Sequence, residues 1–185
     1  MFYFTADTHF GHANIIKHCD RPFPSVEEMN EFIINNWNDR ATQRDTIFIL
    51  GDMFFRCENV EEILSRLKGK KRLILGNHDE WAKHVDCNKY FLSVDKYLES
   101  TDGQHSLTLC HYPMLAWKHA PRAYMVHGHI HNDCSADYWP FLQKNDHILN
   151  AGVDINGFGL VNFHELVENN KYHKETSGKG WLRYF

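Results

Sequence analysis

Residues 2–12 read FYFTADTHFGH: an apolar run, Phe2-Tyr3-Phe4, leads straight into a carboxylate, Asp7, and an imidazole, His9, two places apart. Strand side chains alternate between faces, so residues i and i+2 are expected to point the same way. Asp7 and His9 would then project together from the carboxyl end of a strand, where open α/β sheets place their ligand crevices. An acid beside a neutral imidazole is a metal-binding pair of borderline softness. Alone, so short a match is more often an Asp-Thr turn with a surface histidine. The rest of the chain decides between the two.

The same arrangement recurs outward from that stretch. TIFIL (46–50) is a continuous apolar run of strand length, the pattern of a strand covered on both faces, and it ends in Gly51-Asp52. RLIL (72–75) ends in Gly76-Asn77-His78-Asp79. Between these runs, SVEEMNEFIINNW carries Val26, Met29, Ile33 and Trp37 at near-helical spacing behind a Ser25/Glu28 capping signature. Asn59 and Glu62 repeat the signature before EILSRL, which Gly69 stops. Strand, helix, strand, helix, strand at this spacing predicts a βαβαβ unit with a parallel sheet. Beyond residue 80, SLTLCHY (106–112), AYMVHGHIH (123–131) and HILNAGV (147–153) predict further strands with no long helix between them, hence a second sheet, or the far half of a mixed one, packed on the first. They supply His111 and the sequence Gly128-His129-Ile130-His131, and alternation would place His127, His129 and His131 on one face. Gly-His-x-His already accounts for two ligands, which leaves His127 a structural part. Asn162 and Glu165 mark a last short helix, KETSGKG reads as a polar tail after a domain of residues 1–170, and WLRYF (181–185) is expected to dock on the body.

Length and composition agree with one domain. The chain has 185 residues, 43% of them hydrophobic and 24% charged, ordinary for a globular protein with a full core. No apolar stretch approaches the ~20 residues of a membrane span, and the N-terminus opens directly into a strand without a leader pattern, so a cytoplasmic, membrane-free protein is expected. Cys19, Cys57, Cys87, Cys110 and Cys134 form no C-x-x-C pair, which suits a reducing compartment. The net charge of −4 argues against general nucleic-acid binding, and the run Lys68, Lys70, Lys71, Arg72 is expected at a solvated helix end. Histidine is the outlier, at 14 residues, several beside glycines and acids. It is the commonest metal ligand and a proton carrier near neutral pH.

The ordered set D-x-H, G-D, G-N-H-D, H and G-H-x-H over residues 5–131 resembles the calcineurin-like metallophosphoesterase superfamily. TADTHFGHANIIKHCDRPF, KGKKRLILGNHD and NAGVDINGFGLVNFHEL are similar to a small stand-alone branch of bacteria and their phages. The resemblance implies a four-layer α/β/β/α sandwich of two mixed sheets flanked by helices. It implies one metal site of Asp7, His9, Asp52 and His131, and a second of Asp52, Asn77, His111 and His129, with Asp52 bridging. Two divalent ions ~3.5–4 Å apart can hold one hydroxide between them and clamp a phosphoryl group. Imidazoles, carboxylates and an amide without thiolates suit manganese, with iron, zinc or nickel as alternatives. The implied activity is hydrolysis of a small phosphate ester, a phosphodiester before a monoester, such as a nucleotide or a nucleic-acid end. His78 is the expected acid for the leaving group, and Asn77, Arg56, His12 and Arg21 are expected substrate contacts. One departure stands out. Where the phosphatase branch of the family reads G-D-x-x-D-R, this chain has Phe55 at the second Asp, so Asp79 or a backbone carbonyl would have to orient His78. A catalytically silent metal-binding module of the same fold is the alternative.

Overall fold

The computed structural model describes residues 1–177. In chain order the elements are β1 (Phe2–Thr5), α1 (Ala13–His18), α2 (Val26–Arg40), β2 (Thr46–Ile49), α3 (Val60–Arg66), β3 (Lys70–Ile74), β4 (Phe91–Asp95), β5 (Tyr97–Thr101), β6 (Ser106–Cys110), β7 (Ala123–His127), α4 (Trp139–Gln143), β8 (Ile148–Asn150) and α5 (Phe163–Thr176). They form two four-stranded sheets, β1-β2-β3-β4 and β5-β6-β7-β8. All three pairings of the first sheet are parallel; in the second, β5 runs antiparallel to β6 and the others are parallel. The first sheet is therefore mixed only through a single antiparallel bridge, Phe4 to Val161, at its β1 edge.

Period-two alternation builds the layers. Tyr3, Ile47, Ile49 and Leu73 face one way and pack with Met29, Ile33 and Trp37 of α2 and Ile63 and Leu64 of α3. Phe4, Phe48, Leu50 and Ile74 face the other way and meet Leu107, Leu109, Val126 and Leu149 of the second sheet. Met125 and Ile148 turn outward onto Trp139 and Leu142 of α4. Both faces of β2 are covered, which is why TIFIL is apolar throughout. The four layers α/β/β/α result.

Ser25 accepts the backbone N–H of Glu28, and Asn162 with Glu165 forms a complete capping box. Asn59 caps nothing with its side chain. β4 and β5 have no counterpart in the sequence reading: they are edge strands, with Leu92, Val94 and Tyr97 exposed, so they lack the buried apolar run that marks an inner strand. The basic run is not a solvated helix end. Lys70 to Arg72 open β3, and Lys71 is buried, its Nζ donating to the carbonyls of Leu67 and Gly69. α5 runs to Thr176, past the expected boundary at residue 170, with His173 and Lys174 buried, so the polar tail does not begin at Lys174. WLRYF lies outside the described residues.

His173 makes the fold acid-sensitive. It packs edge-on to Trp139, and burial pushes its pKa down to about 4. The unfolded chain takes up that proton near pH 6.5, so stability present above pH 6.5 is lost as pH falls toward 4, by up to about 3 kcal/mol. Urea titrations of the metal-free protein should show that fall, and His173→Phe should shrink it without abolishing it, because burial also holds His127 down at about 3; an unchanged pH slope would refute the assignment.

Candidate metal centre

The loops leaving β1, β2, β3, β6 and β7 meet at the carboxyl ends of their strands and bring Asp7, His9, Asp52, Asn77, His111, His129 and His131 into one cluster. The ligating atoms of Asp7, His9 and His131 lie within 4.8 Å of one another, as do those of Asp52, His111 and His129. Asp52 Oδ2 stands between the groups, 3.7 Å from His9 Nε2, 3.4 Å from His111 Nε2 and 4.0 Å from His78 Nε2. The amide oxygen of Asn77 lies 3.1 Å from His111 Nε2.

Strand alternation is not what aims these side chains. β1 ends at Thr5 and β7 at His127, before the residues in question. Asp7, His9, Asp52, His129 and His131 instead adopt left-handed backbone, with φ of 55°, 51°, 51°, 73° and 51°. Left-handed non-glycine residues cost of order 1–3 kcal/mol each and persist where the surroundings over-determine them. Here the loops cross-brace one another: Asp7 N–H donates to the Gly51 carbonyl (3.0 Å) and His9 N–H to the Asp52 carbonyl (3.1 Å). The Gly76 and Gly128 positions leave room for ligands. A Cβ at Gly76 would fall 2.2 Å from Asp52 Oδ1, and one at Gly128 2.6 Å from Asp7 Oδ2.

Three imidazoles are held through Nδ1. His111 Nδ1 meets the Leu50 carbonyl at 2.7 Å, His131 Nδ1 meets Asp154 Oδ2 at 2.8 Å, and His9 Nδ1 meets His12 Nδ1 at 3.3 Å. Anchoring the outer nitrogen fixes the tautomer and the direction of the inner one. His9 Nε2 is buried with no hydrogen-bond partner, a costly state for a polar atom unless a cation or proton satisfies it. Burial pushes its pKa down to about 2, so the ring is neutral, the form that ligates. Burial pushes Asp7 up to about 6. Burial alone would lower His131, but its hydrogen bonds, first to Asp154, outweigh that and push it up to about 11, so a ligating His131 must give up a proton. An orphaned imidazole nitrogen, a carboxylate between two rings and glycines that yield to ligand oxygens together fit a divalent-cation centre.

The other expected residues divide. His78 lies at the rim, its backbone N–H on Asp52 Oδ1 (2.8 Å) and its ring edge-on to Phe55 (4.7 Å between centroids). Asp79 does not orient it. Asp79 is buried and turned away, accepting from the N–H groups of Asp52, Met53 and Gly76 and from the Trp81 indole, so it latches the second block to the third. His12 is half-buried between His9 and Phe55. Arg56 is exposed, its guanidinium over the Phe55 ring at 5.2 Å. Arg21 cannot be a substrate contact. It is buried, and its five N–H groups face Asp154 Oδ1 and Oδ2, the Asp7 and Thr8 carbonyls and Met29 Sδ. His127 is fully buried on the Gly128 carbonyl, a structural member as its position in the motif suggested. Asp154 was missed by sequence reasoning; its signal was the unassigned carboxylate in NAGVDING.

A two-sheet sandwich with acids and imidazoles gathered at its strand ends is the architecture of a metal-dependent hydrolase. The chain belongs to the calcineurin-like phosphoesterase family, whose sequence model matches residues 1–177. It is 31% identical to an uncharacterized protein of Methanocaldococcus jannaschii, over 90% of this chain and 89% of that one. It is 33% identical to the gene 66 protein of Mycobacterium phage L5, over 94% and 96%. A crystal structure of a protein of unknown function from Aquifex aeolicus superimposes with a TM-score of 0.70 at 25% identity, covering 91% of this chain and 98% of that one. Among the described residues no helix is long and apolar enough to cross a membrane.

Proposed function

We propose that the protein is a dinuclear metal-dependent phosphoesterase that prefers phosphodiesters. The observation that carries this reading is Asp52 Oδ2, set between the inward nitrogens of His9 and His111. Asp7, His9, Asp52 and His131 would hold one ion, and Asp52, Asn77, His111 and His129 the other, with manganese preferred and iron, zinc or nickel accepted by the same donors. When bound, the ions supply Lewis acidity toward the phosphoryl group and toward the attacking water.

The chain's own residues do the rest. Asp52 keeps the two ligand groups in register. His78, half-exposed at the rim, holds a proton for the departing oxygen. Asn77 and Arg56, both exposed, and His12, half-buried against His9 and Phe55, offer donors to non-bridging oxygens. Tyr112, 46% exposed and edge-on to His129 at 4.6 Å, and Phe55, packed on His12 and His78, are neutral walls beside the cluster. Such walls suit a second ester group better than the extra charge of a monoester, and a nucleotide or short nucleic-acid end has that group. The five free cysteines support a reducing, cytoplasmic setting.

Rates on bis-p-nitrophenyl and mono-p-nitrophenyl phosphate with manganese test the preference. The diester should be cleaved at least tenfold faster, and equal or reversed rates would withdraw it. Stoichiometric metal with no hydrolysis of any generic ester would instead favour a silent binding module. Nucleotides, cyclic nucleotides and RNA ends are the substrates to screen next.

A further inference from the structure

We propose that the buried Arg21–Asp154 pair is a positioning strut that makes the Asp7/His9/His131 group the tighter of the two cation sites; this rests on the dinuclear reading above. Both side chains are fully shielded from solvent. Arg21 Nε and Nη2 lie 2.8 and 3.0 Å from the two Asp154 oxygens, and Nη2 and Nη1 reach the Asp7 and Thr8 carbonyls at 2.7 and 3.0 Å. Asp154 Oδ2 in turn takes His131 Nδ1 at 2.8 Å. One guanidinium therefore spans the turn that carries Asp7 and, through Asp154, the ring of His131, two ligands 124 positions apart in the sequence by their numbers.

The strut is itself fixed. Val153 N–H donates to the Ala6 carbonyl at 3.0 Å, and Asn150 Nδ2 to the His131 carbonyl at 2.8 Å. Asn156 Nδ2 binds the carbonyls of Asn150 and Gly152 at 3.1 and 2.8 Å. The segment from Asn150 to Asn156 thus works as a back wall for one ligand group. The other group is braced at its backbone, by Asp79 on the Asp52 and Gly76 N–H groups and by Asp7 on the His129 N–H, but among the described residues no buried ion pair orients its side chains: Asn77 is exposed, His129 is half-buried, and His111 Nδ1 is anchored by one carbonyl. A buried ion pair seldom raises stability over an apolar substitute, because desolvation consumes its attraction. What it supplies here is direction. The His131 ring is held in one orientation with its Nδ1–H committed to Asp154, and the Asp7 turn is pinned to it, so ligand-ordering entropy is spent before a cation displaces the proton on the other ring nitrogen.

Calorimetric titration of the metal-free protein with Mn²⁺ tests this. Wild type should bind two equivalents. Asp154→Asn should weaken one of them by ~10–100-fold and leave the other within about twofold, reproducing the pattern of His131→Ala and not that of His111→Ala. In Co²⁺-loaded protein, the exchangeable His131 Nδ1–H resonance should broaden in Asp154→Asn. The double variant Arg21→Gln/Asp154→Asn removes both charges together and should show the same selective loss if the single variant folds poorly. Equal weakening of both equivalents, or none, would overturn the strut. A single equivalent in wild type would instead count against the dinuclear reading, and the strut would then stand or fall on whether that ion's affinity drops.

Discussion

Asp52→Asn should reduce metal-dependent hydrolysis of bis-p-nitrophenyl phosphate by at least ~10³-fold while the metal-free protein still melts cooperatively. The two oxygens of Asp52 do different work. Oδ1 accepts the His78 backbone N–H at 2.8 Å, and an amide oxygen can keep that bond. Oδ2 faces the imidazole nitrogens of His9 and His111, and there the substitution puts an NH₂ group where a shared anion stood. An amide turned that way presents hydrogens to the space the cations would share, and the charge that offsets their repulsion is gone. Losing several kcal/mol of transition-state stabilisation corresponds to roughly three orders of magnitude in rate. Asparagine is a better probe than alanine, because the Oδ1 contact keeps the second and third loops joined. Activity within tenfold of wild type would remove Asp52 from the bridging role.

His78→Ala should keep both Mn²⁺ equivalents and slow turnover, by an amount that depends on the leaving group. Proton donation by a placed side chain is typically worth ~10²–10⁴-fold. p-Nitrophenolate departs without needing a proton, so the loss on bis-p-nitrophenyl phosphate should be small, and the full loss should appear with an alkyl diester. The structure frames this test. Neither expected carboxylate orients the ring: Phe55 occupies the position where the phosphatase pattern has Asp, and Asp79 is committed to Asp52, Met53, Gly76 and Trp81, while Asp52 Oδ2 lies 4.0 Å from the His78 Nε2. The ring is held by edge contacts with Phe55 and His9 and stays 38% exposed. Loss of a metal equivalent in the variant would make His78 a ligand. An equal loss on both diesters would end its role as the acid.

The core and the cluster were legible in the chain because they are local patterns. Apolar runs of strand length and capping signatures read from neighbouring residues; TIFIL and SVEEMNEFIINNW became β2 and α2. Edge strands β4 and β5 were not legible, since half-exposed residues carry no buried run. Arg21 was misplaced because nearness in sequence to Asp7 says nothing about which way a guanidinium turns.

The sequence by itself determined which chemical groups terminate each strand, and hence that acids, an amide and imidazoles would gather at one sheet edge, because parallel strands place their carboxyl ends together. Only the tertiary structure decided how those groups are aimed. The ligands sit in left-handed turns whose strain is held by contacts with other loops, and the partners that fix the rings (the Leu50 carbonyl, His12, Asp154) come mostly from distant parts of the chain. Direction at a site is set by packing across the fold, which no local pattern records.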